Sequence, residues 1–164
     1  MYTIRLAVVS LSFALVTGVP ATAGVVDSPL PTLGGIKTKH VFTVPGVVSN
    51  ASLVTVFICT NLDRKNSIQF TVEAFASSGG QSLGNLSSQL VSVGGTGIVA
   101  TKNLLAYFGE SSISLIDSST VRSARIVATS TNISCTVTVV GEPSDPFPKV
   151  AWSLSLIKKK QRGD

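Results

Sequence analysis

The fold is decided by stretches in which apolar and polar residues alternate, and one of these is Ile133-Ser134-Cys135-Thr136-Val137-Thr138-Val139. A two-residue period places the apolar side chains on one face of an extended strand and the Ser and Thr side chains on the other. The alternation recurs at residues 68–74, 124–129 and 152–156, and no sustained helical period accompanies it. Such stretches are typical of half-buried strands in antiparallel sheets.

The same alternation predicts which side chains face outward and which face the core. In the last stretch it places Trp152 on the core side, together with Leu154 and Leu156. In two earlier strands the outward positions are Gln69, Thr71, Glu73, Arg125 and Thr129. Because Glu73 falls on such an outward face, we expect its side chain to be solvated.

Short strands and turns fill the rest of the chain. The run 53–60 is apolar on both faces, which predicts a strand at the centre of a sheet. Shorter candidate strands are 40–44, 89–93, 97–102 and 113–116, one helical turn fits 103–108, and connections are expected at 61–66, 77–80, 94–97 and 142–149. This punctuation predicts an all-β, antiparallel two-sheet β-sandwich, immunoglobulin-like or jelly-roll-like, with a barrel as the runner-up.

The first 23 residues have the layout of a secretory signal peptide. Arg5 is their only charge, an apolar run extends from Leu6 to Val16, and Ala21 and Ala23 form an A-x-A end. The run is about half the length of a membrane-spanning helix, so we expect cleavage and no transmembrane segment afterwards. The expected location is secreted or periplasmic. The predicted organisation is a signal peptide at 1–23, an extended segment at 24–38, a β-sandwich at 39–157 and a basic tail at 158–164.

The two cysteines, Cys59 and Cys135, both follow the expected cleavage site. An even count together with export favours a disulfide between them. Such a bridge would tie an early strand to a late one. The pattern leaves open whether it crosses between the two sheets or joins neighbouring strands.

The net charge of +5 is mostly a property of the C-terminal tail. Residues 24–157 carry eight Lys and Arg against seven Asp and Glu, which argues against a basic nucleic-acid groove. Three interpretations of the tail stay open: a solvated terminus, an electrostatic contact with an anionic envelope surface or polymer, and a cell-adhesion tripeptide at Arg162-Gly163-Asp164. The cations of the electrostatic interpretation are Lys158, Lys159, Lys160 and Arg162.

Few residues offer catalytic chemistry. His40 is the only histidine, which excludes metal sites that need two imidazoles, and no G-x-S-x-G motif is present. Glu73 and Glu110 are the one carboxylate pair worth testing for acid–base catalysis. Asp63 and Asn66 share a polar turn, where turn capping is the simplest interpretation. We therefore expect no catalytic residue, no cofactor and no metal.

Exposed aromatic rings would indicate a carbohydrate-binding module, because sugars stack on them. The candidates are Tyr107, Phe108 and Phe147, which fall at a predicted sheet edge or in loops. Core packing is the competing interpretation, since buried rings contribute much of the apolar area of protein cores.

Two resemblances rest on strand and cysteine motifs. The segments 57–61, 123–130 and 133–136, with the lysine-rich end, resemble a group of uncharacterised bacterial secreted proteins with one sandwich-like domain. That resemblance implies a fold and a disulfide but no active site. Pilin subunits of the chaperone–usher type are similar in signal peptide, size and cysteine pair. They end in an alternating apolar strand, where this chain ends in Lys and Arg.

These observations predict an exported, non-enzymatic β-sandwich protein that has a binding or structural role in the cell envelope or extracellular space. The expected partners are an envelope component, a polysaccharide or another protein. The alternatives are a carbohydrate-binding module, a fibre or adhesion subunit, and an enzyme acting through Glu73, Glu110 or His40.

Overall fold

The structure, a computed structural model, describes residues 24–25, 27–50, 52–76, 88–102, 111–112, 122–141 and 151–158. Within these residues the chain forms strands joined by turns, and every strand pairing is antiparallel except that of β7 with β8. The strands are β1 (Thr32–Leu33), β2 (Ile36–Lys37), β3 (Lys39–Val47), β4 (Leu53–Asn61), β5 (Ile68–Phe75), β6 (Ser88–Val91), β7 (Thr96–Ala100), β8 (Ser111–Ser112), β9 (Arg122–Ala128), β10 (Ile133–Gly141), β11 (Ala151–Ser153) and β12 (Ile157–Lys158).

Ten of these strands form two five-stranded sheets that pack face to face. We call the sheet with the order β11-β10-β4-β7-β8 the disulfide sheet, and the sheet with the order β12-β3-β9-β5-β6 the arginine sheet, because β9 carries Arg125. β1 and β2 form a separate hairpin. The predicted all-β sandwich is confirmed.

The core lies between the sheets and is built from the alternating apolar positions. Phe57 and Val137 enter it from the disulfide sheet, and Val44, Phe70 and Ile126 enter it from the arginine sheet. All five side chains are completely buried. Full burial of a side chain of this size contributes about 1.5–3 kcal/mol to the stability of the fold. Burial of these alternating apolar side chains is therefore the main contribution that holds the two sheets together.

The strand β4 lies at the centre of the disulfide sheet, as its doubly apolar sequence predicts. Phe57 and Cys59 face the arginine sheet, whereas Val54 and Val56 belong to a second apolar cluster with Ala100. β4 is therefore buried on both faces, and this burial explains why its polar positions are so few.

A disulfide joins Cys59 of β4 to Cys135 of β10. The two residues lie directly opposite each other in neighbouring strands of one sheet, with their Cα atoms 4.1 Å apart. Of the two geometries that the sequence left open, the structure has the bridge between neighbours. The disulfide is compatible with an oxidising, extracytoplasmic compartment.

The connection from β6 to β7 closes one side of the sandwich by passing from the arginine sheet to the disulfide sheet. The Gly95 N–H donates a hydrogen bond of 2.9 Å to the Ser92 carbonyl, and Gly94 adopts a φ of 67° that favours glycine. The connection expected around these glycines is thus a hydrogen-bonded turn.

The segment 151–158 closes the opposite side, because β11 pairs with β10 in one sheet and β12 pairs with β3 in the other. Leu154 and Leu156 lie between these strands and pack against the core, as predicted. Trp152 is 41% exposed, so its predicted core position is wrong. β11 is the outermost described strand of its sheet, and no further described strand covers the ring.

Several predicted features fall outside the described residues: the signal peptide at 1–23, the helical turn at 103–108, the strand at 113–116, the connections at 77–80 and 142–149, and the side chains of Tyr107, Phe108, Glu110, Phe147, Lys159, Lys160 and Arg162. Among the residues that are described, no helix is long and apolar enough to span a membrane.

Candidate functional site

The outer face of the arginine sheet is buried, although the sequence predicted a solvated face. Thr71 and Arg125 are completely buried, and Glu73 retains 7% of its exposure. The expectation that the Glu73 side chain is solvated is therefore wrong. The alternation did place these three side chains on the face away from the core, but another part of the chain covers that face.

Arg125 and Glu73 form an ion pair on this covered face. They lie directly opposite each other on β9 and β5, and Arg125 Nε donates to Glu73 Oε2 at 2.5 Å. The guanidinium carbon also lies 5.3 Å from the centroid of the Phe75 ring, within reach of a cation–π interaction. A buried charge is tolerated only when it is paired and hydrogen-bonded, and this pair meets both conditions.

The remaining donors of Arg125 bind main-chain carbonyls of the segment before β1. Nη1 donates to Ser28 O at 2.8 Å and to Val25 O at 3.3 Å, and Nη2 donates to Pro29 O at 2.7 Å. Arg125 is thus the link between the sheet and the N-terminal segment. Because the acceptors are carbonyls, the contact depends on the path of the segment rather than on its side chains.

The segment that the sequence predicted as extended is folded onto the sheet. At its start, Gly24 O accepts hydrogen bonds from the N–H groups of Asp27 and Ser28 and from the Ser28 hydroxyl. Further on, the β1–β2 turn lies so close to β5 that a Cβ added at Gly34 would be 2.7 Å from Gln69 Oε1. Residues 24–37 therefore act as a cover for the outer face.

His40 lies on the same outer face as a result of a β-bulge. The register between β3 and β9 shifts between His40 and Phe42, so His40 pairs with Val127 while Phe42 pairs with the core residue Ile126. A regular two-residue period would place His40 on the side of Phe42, and the extra residue of the bulge reverses this. His40 Nε2 lies 3.0 Å from Thr43 Oγ1.

These contacts bear on the residues that the sequence offered for catalysis. Glu73 holds Arg125, and His40 is hydrogen-bonded within its own strand. Glu110, the carboxylate paired with Glu73 in that hypothesis, lies outside the described residues. In the described part of the chain, no three His, Cys, Asp or Glu side chains are grouped in a way that could hold a metal ion.

A second feature is the end of the sandwich at which three connections cross between the sheets, at residues 62–67, 92–95 and 129–132. Asn61 joins two of them. Its side-chain nitrogen lies 2.9 Å from Asn66 O and 3.1 Å from both Val91 O and Ser92 O. Its backbone N–H donates to Gly95 O. One buried amide therefore fixes the position of these connections.

The third connection is tied to the first. The Leu62 N–H donates to Asn132 O at 2.8 Å, and Asn132 Nδ2 lies 3.3 Å from Asp63 Oδ2. Asp63 Oδ1 accepts from the N–H groups of Lys65 and Asn66. The predicted turn capping is confirmed. These hydrogen bonds, from Lys65 first, then Asn66 and Asn132, hold the pKa of Asp63 below its ordinary value of 3.8.

This end presents apolar and basic side chains to solvent. Leu62 is 58% and Val93 is 49% exposed, and Arg64 and Lys65 are exposed beside them. Lys39 is exposed at the margin, since it pairs with Ala128 directly before the 129–132 connection, and Lys37 is exposed two residues before it, at the end of β2. We call the six side chains together the loop face: Lys37, Lys39, Leu62, Arg64, Lys65 and Val93.

The sequence indicates only part of these features. Its polar run predicts the turn at 61–66, but nothing in it indicates that the Asn61 side chain contacts three carbonyls or that Arg125 is a buried anchor. The one available signal was a charged residue in each of two alternating strands, and this signal gives no register. Of the tail cations, Lys158 is an exposed residue of β12 that pairs with Phe42. The other three are not described.

No protein-family model, no curated protein and no solved structure matches the chain.

Proposed function

We propose that this chain is an exported, non-enzymatic β-sandwich protein, secreted or periplasmic, that acts by binding a component of the cell envelope or extracellular space. The observation that carries the proposal is that hydrogen bonds tie three inter-sheet connections together at one end of the sandwich, two through Asn61 and the third through Asn132. Loops held by a rigid scaffold are where binding residues concentrate. A preformed surface also loses little conformational entropy on binding.

Export is supported by the sequence of residues 1–23 and by the disulfide, which stabilises a chain that must persist in an oxidising compartment. The non-enzymatic part is supported by the contacts of Glu73 and His40. Glu73 is paired with Arg125, His40 is hydrogen-bonded to Thr43 of its own strand, and the N-terminal cover lies over the face that carries them.

The experiment is a retention assay with protein purified after expression of the full chain. The protein is mixed with washed envelope fractions and with extracellular polysaccharide from the expressing cells, and each mixture is sedimented. We expect part of the protein to sediment with one fraction and to be released by salt. Recovery of all the protein in every supernatant would contradict the binding role. An unrelated disulfide-bonded sandwich protein of similar charge is the control.

The exposure of Trp152 favours a second candidate, a sugar-binding surface at the edge of the disulfide sheet. An aromatic ring on an edge strand can stack on a sugar, and the sequence candidates Tyr107, Phe108 and Phe147 belong to the same hypothesis. A glycan array probed with the wild type and with Trp152→Ala tests it, with Leu90→Ala as the control for another exposed apolar side chain. If Trp152→Ala binds glycans as the wild type does, a role for Trp152 is excluded.

A further inference from the structure

The loop face combines exposed apolar side chains with exposed basic side chains, and neither kind usually stabilises a fold. Leu62 and Val93 expose about half of their surface on two connections that the hydrogen bonds of Asn61 hold together. Arg64 and Lys65 follow Leu62 within the same connection and are exposed. We call Leu62 and Val93 the apolar tips. Apolar side chains next to cations are suited to the boundary between lipid headgroups and acyl chains.

The charge of this end is unbalanced. Among the described residues the acids are Asp27, Asp63 and Glu73, and Glu73 is neutralised by Arg125 on the covered face. Asp63 is the one described acid in the three connections, and its carboxylate is turned toward the N–H groups of its own loop. Against it stand four exposed cations, so the loop face attracts an anionic surface.

The apolar tips favour a bilayer over a soluble polyanion. A soluble anionic polymer would be held by the cations alone and would gain nothing from Leu62 or Val93. A bilayer accommodates both, because the side chains enter the headgroup boundary while the cations remain at the phosphate level. The hydrogen bonds of Asn61 hold together the two connections that carry Leu62, Arg64, Lys65 and Val93.

The direction of β12 adds a further cation. β12 runs antiparallel to β3, from the pair Ile157–Thr43 to the pair Lys158–Phe42, and so it heads toward Lys39. Lys158 is exposed and is the first cation of the basic tail. The chain thus enters its basic tail while running toward the end of the sandwich that carries the loop face.

We propose that the loop face is a docking surface for an anionic phospholipid bilayer, with Leu62 and Val93 inserted at the headgroup boundary and the four cations on the lipid phosphates. This inference rests on the proposed binding function and names its partner.

The experiment measures cosedimentation of the protein, purified after expression of the full chain, with two kinds of vesicle. One is phosphatidylcholine alone, and the other is an equal mixture of phosphatidylcholine and phosphatidylglycerol. We expect binding to the mixed vesicles, weakened by salt, and little binding to phosphatidylcholine. Arg64→Gln with Lys65→Gln should weaken binding about tenfold or more. Leu62→Ser with Val93→Ser should weaken it several-fold.

The matched control is Lys102→Gln with Arg122→Gln, which removes two cations at the opposite end of the sandwich. It should bind as the wild type does. Circular dichroism and the thermal midpoint of each variant show whether the fold is retained. The substituted loop-face side chains are exposed, so we expect native values.

Three results would overturn the inference. The first is equal binding by the wild type and the Arg64/Lys65 variant. The second is binding that survives both loop-face variants but is lost when the chain is truncated after Lys158, which would place the contact in the tail alone. The third is no vesicle binding at all. If envelope retention persists in that last case, the proposed function stands with another partner; if retention is lost too, both fail.

Discussion

Arg125 and Glu73 lie opposite each other on β9 and β5 and form an ion pair on the outer face of the arginine sheet. The same guanidinium holds the carbonyls of Val25, Ser28 and Pro29. One side chain therefore joins two strands to a segment about 100 residues earlier in the chain. The cover should lose its attachment to the outer face when this link is removed.

Arg125→Met should destabilise the protein by about 3–5 kcal/mol, because it leaves the Glu73 carboxylate buried without its cation. Urea unfolding followed by circular dichroism measures the change. The double variant Arg125→Met/Glu73→Leu should be more stable than the single one, since it removes the orphaned charge as well. A double variant no more stable than Arg125→Met would show that the carbonyl contacts, and not the ion pair, account for the loss.

The same substitution should release the cover. In the wild type, residues 24–37 are held to the sheet through Arg125, and we expect them to resist limited proteolysis. In Arg125→Met, cleavage within this segment should be faster while the sandwich remains intact. Mass spectrometry of the early fragments locates the cuts, and Lys102→Met is the control. Unchanged cleavage would mean that the segment is held by its other contacts.

Removal of the disulfide should lower stability without changing the fold. The cysteines are 76 residues apart, for which the loss of chain entropy in the unfolded state is worth about 4 kcal/mol. The variant Cys59→Ala/Cys135→Ala should therefore unfold at a lower urea concentration. Reductant should bring the wild type close to the variant and leave the variant unchanged. If the urea midpoint of the wild type stays the same after the protein has been unfolded in the presence of reductant, the prediction is contradicted.

Gly97→Ala should cost about 1–3 kcal/mol through overpacking, because the new Cβ would lie 2.8 Å from side-chain atoms of both Phe70 and Val91. Thermal unfolding measures the loss. Val91→Ala vacates one of the two contacts, so the double variant should be more stable than the sum of the single changes predicts. Strict additivity would indicate that Val91 does not limit the space.

The turn at Asp63 should contribute to acid sensitivity. The pKa of Asp63 is depressed by the Lys65 N–H first, then by Asn66 and Asn132. The stabilisation from the ionised Asp63 is fully present above pH 3.8, the ordinary pKa of the group. It is lost as the pH falls through the lower pKa of the folded state. Asp63→Asn should therefore flatten the acid limb of a plot of stability against pH, and Asn132→Ala should flatten it less. An acid limb unchanged in Asp63→Asn would refute this.

Much of the sandwich follows from local pattern. The alternation at Ile133–Val139 gives the core face of β10, and the doubly apolar run of β4 gives its central position. The pattern fails at the edges and on the outer face. The two-residue period correctly places Trp152 on the core face, but Trp152 lies on the outermost described strand of its sheet. It also correctly places Glu73 on the outer face, but residues 24–37 cover that face. The period states which face a side chain occupies, but not what lies above that face.

The sequence by itself determined the all-β architecture, the core faces of the main strands and the cysteine pair, because each depends on spacing between near neighbours or on composition. Tertiary structure alone decided that Arg125 meets Glu73 beneath residues 24–37, that a bulge turns His40 outward, and that two inter-sheet connections meet at Asn61. These contacts join residues far apart in the chain. Their formation depends on strand register and sheet order, which a local two-residue period does not encode.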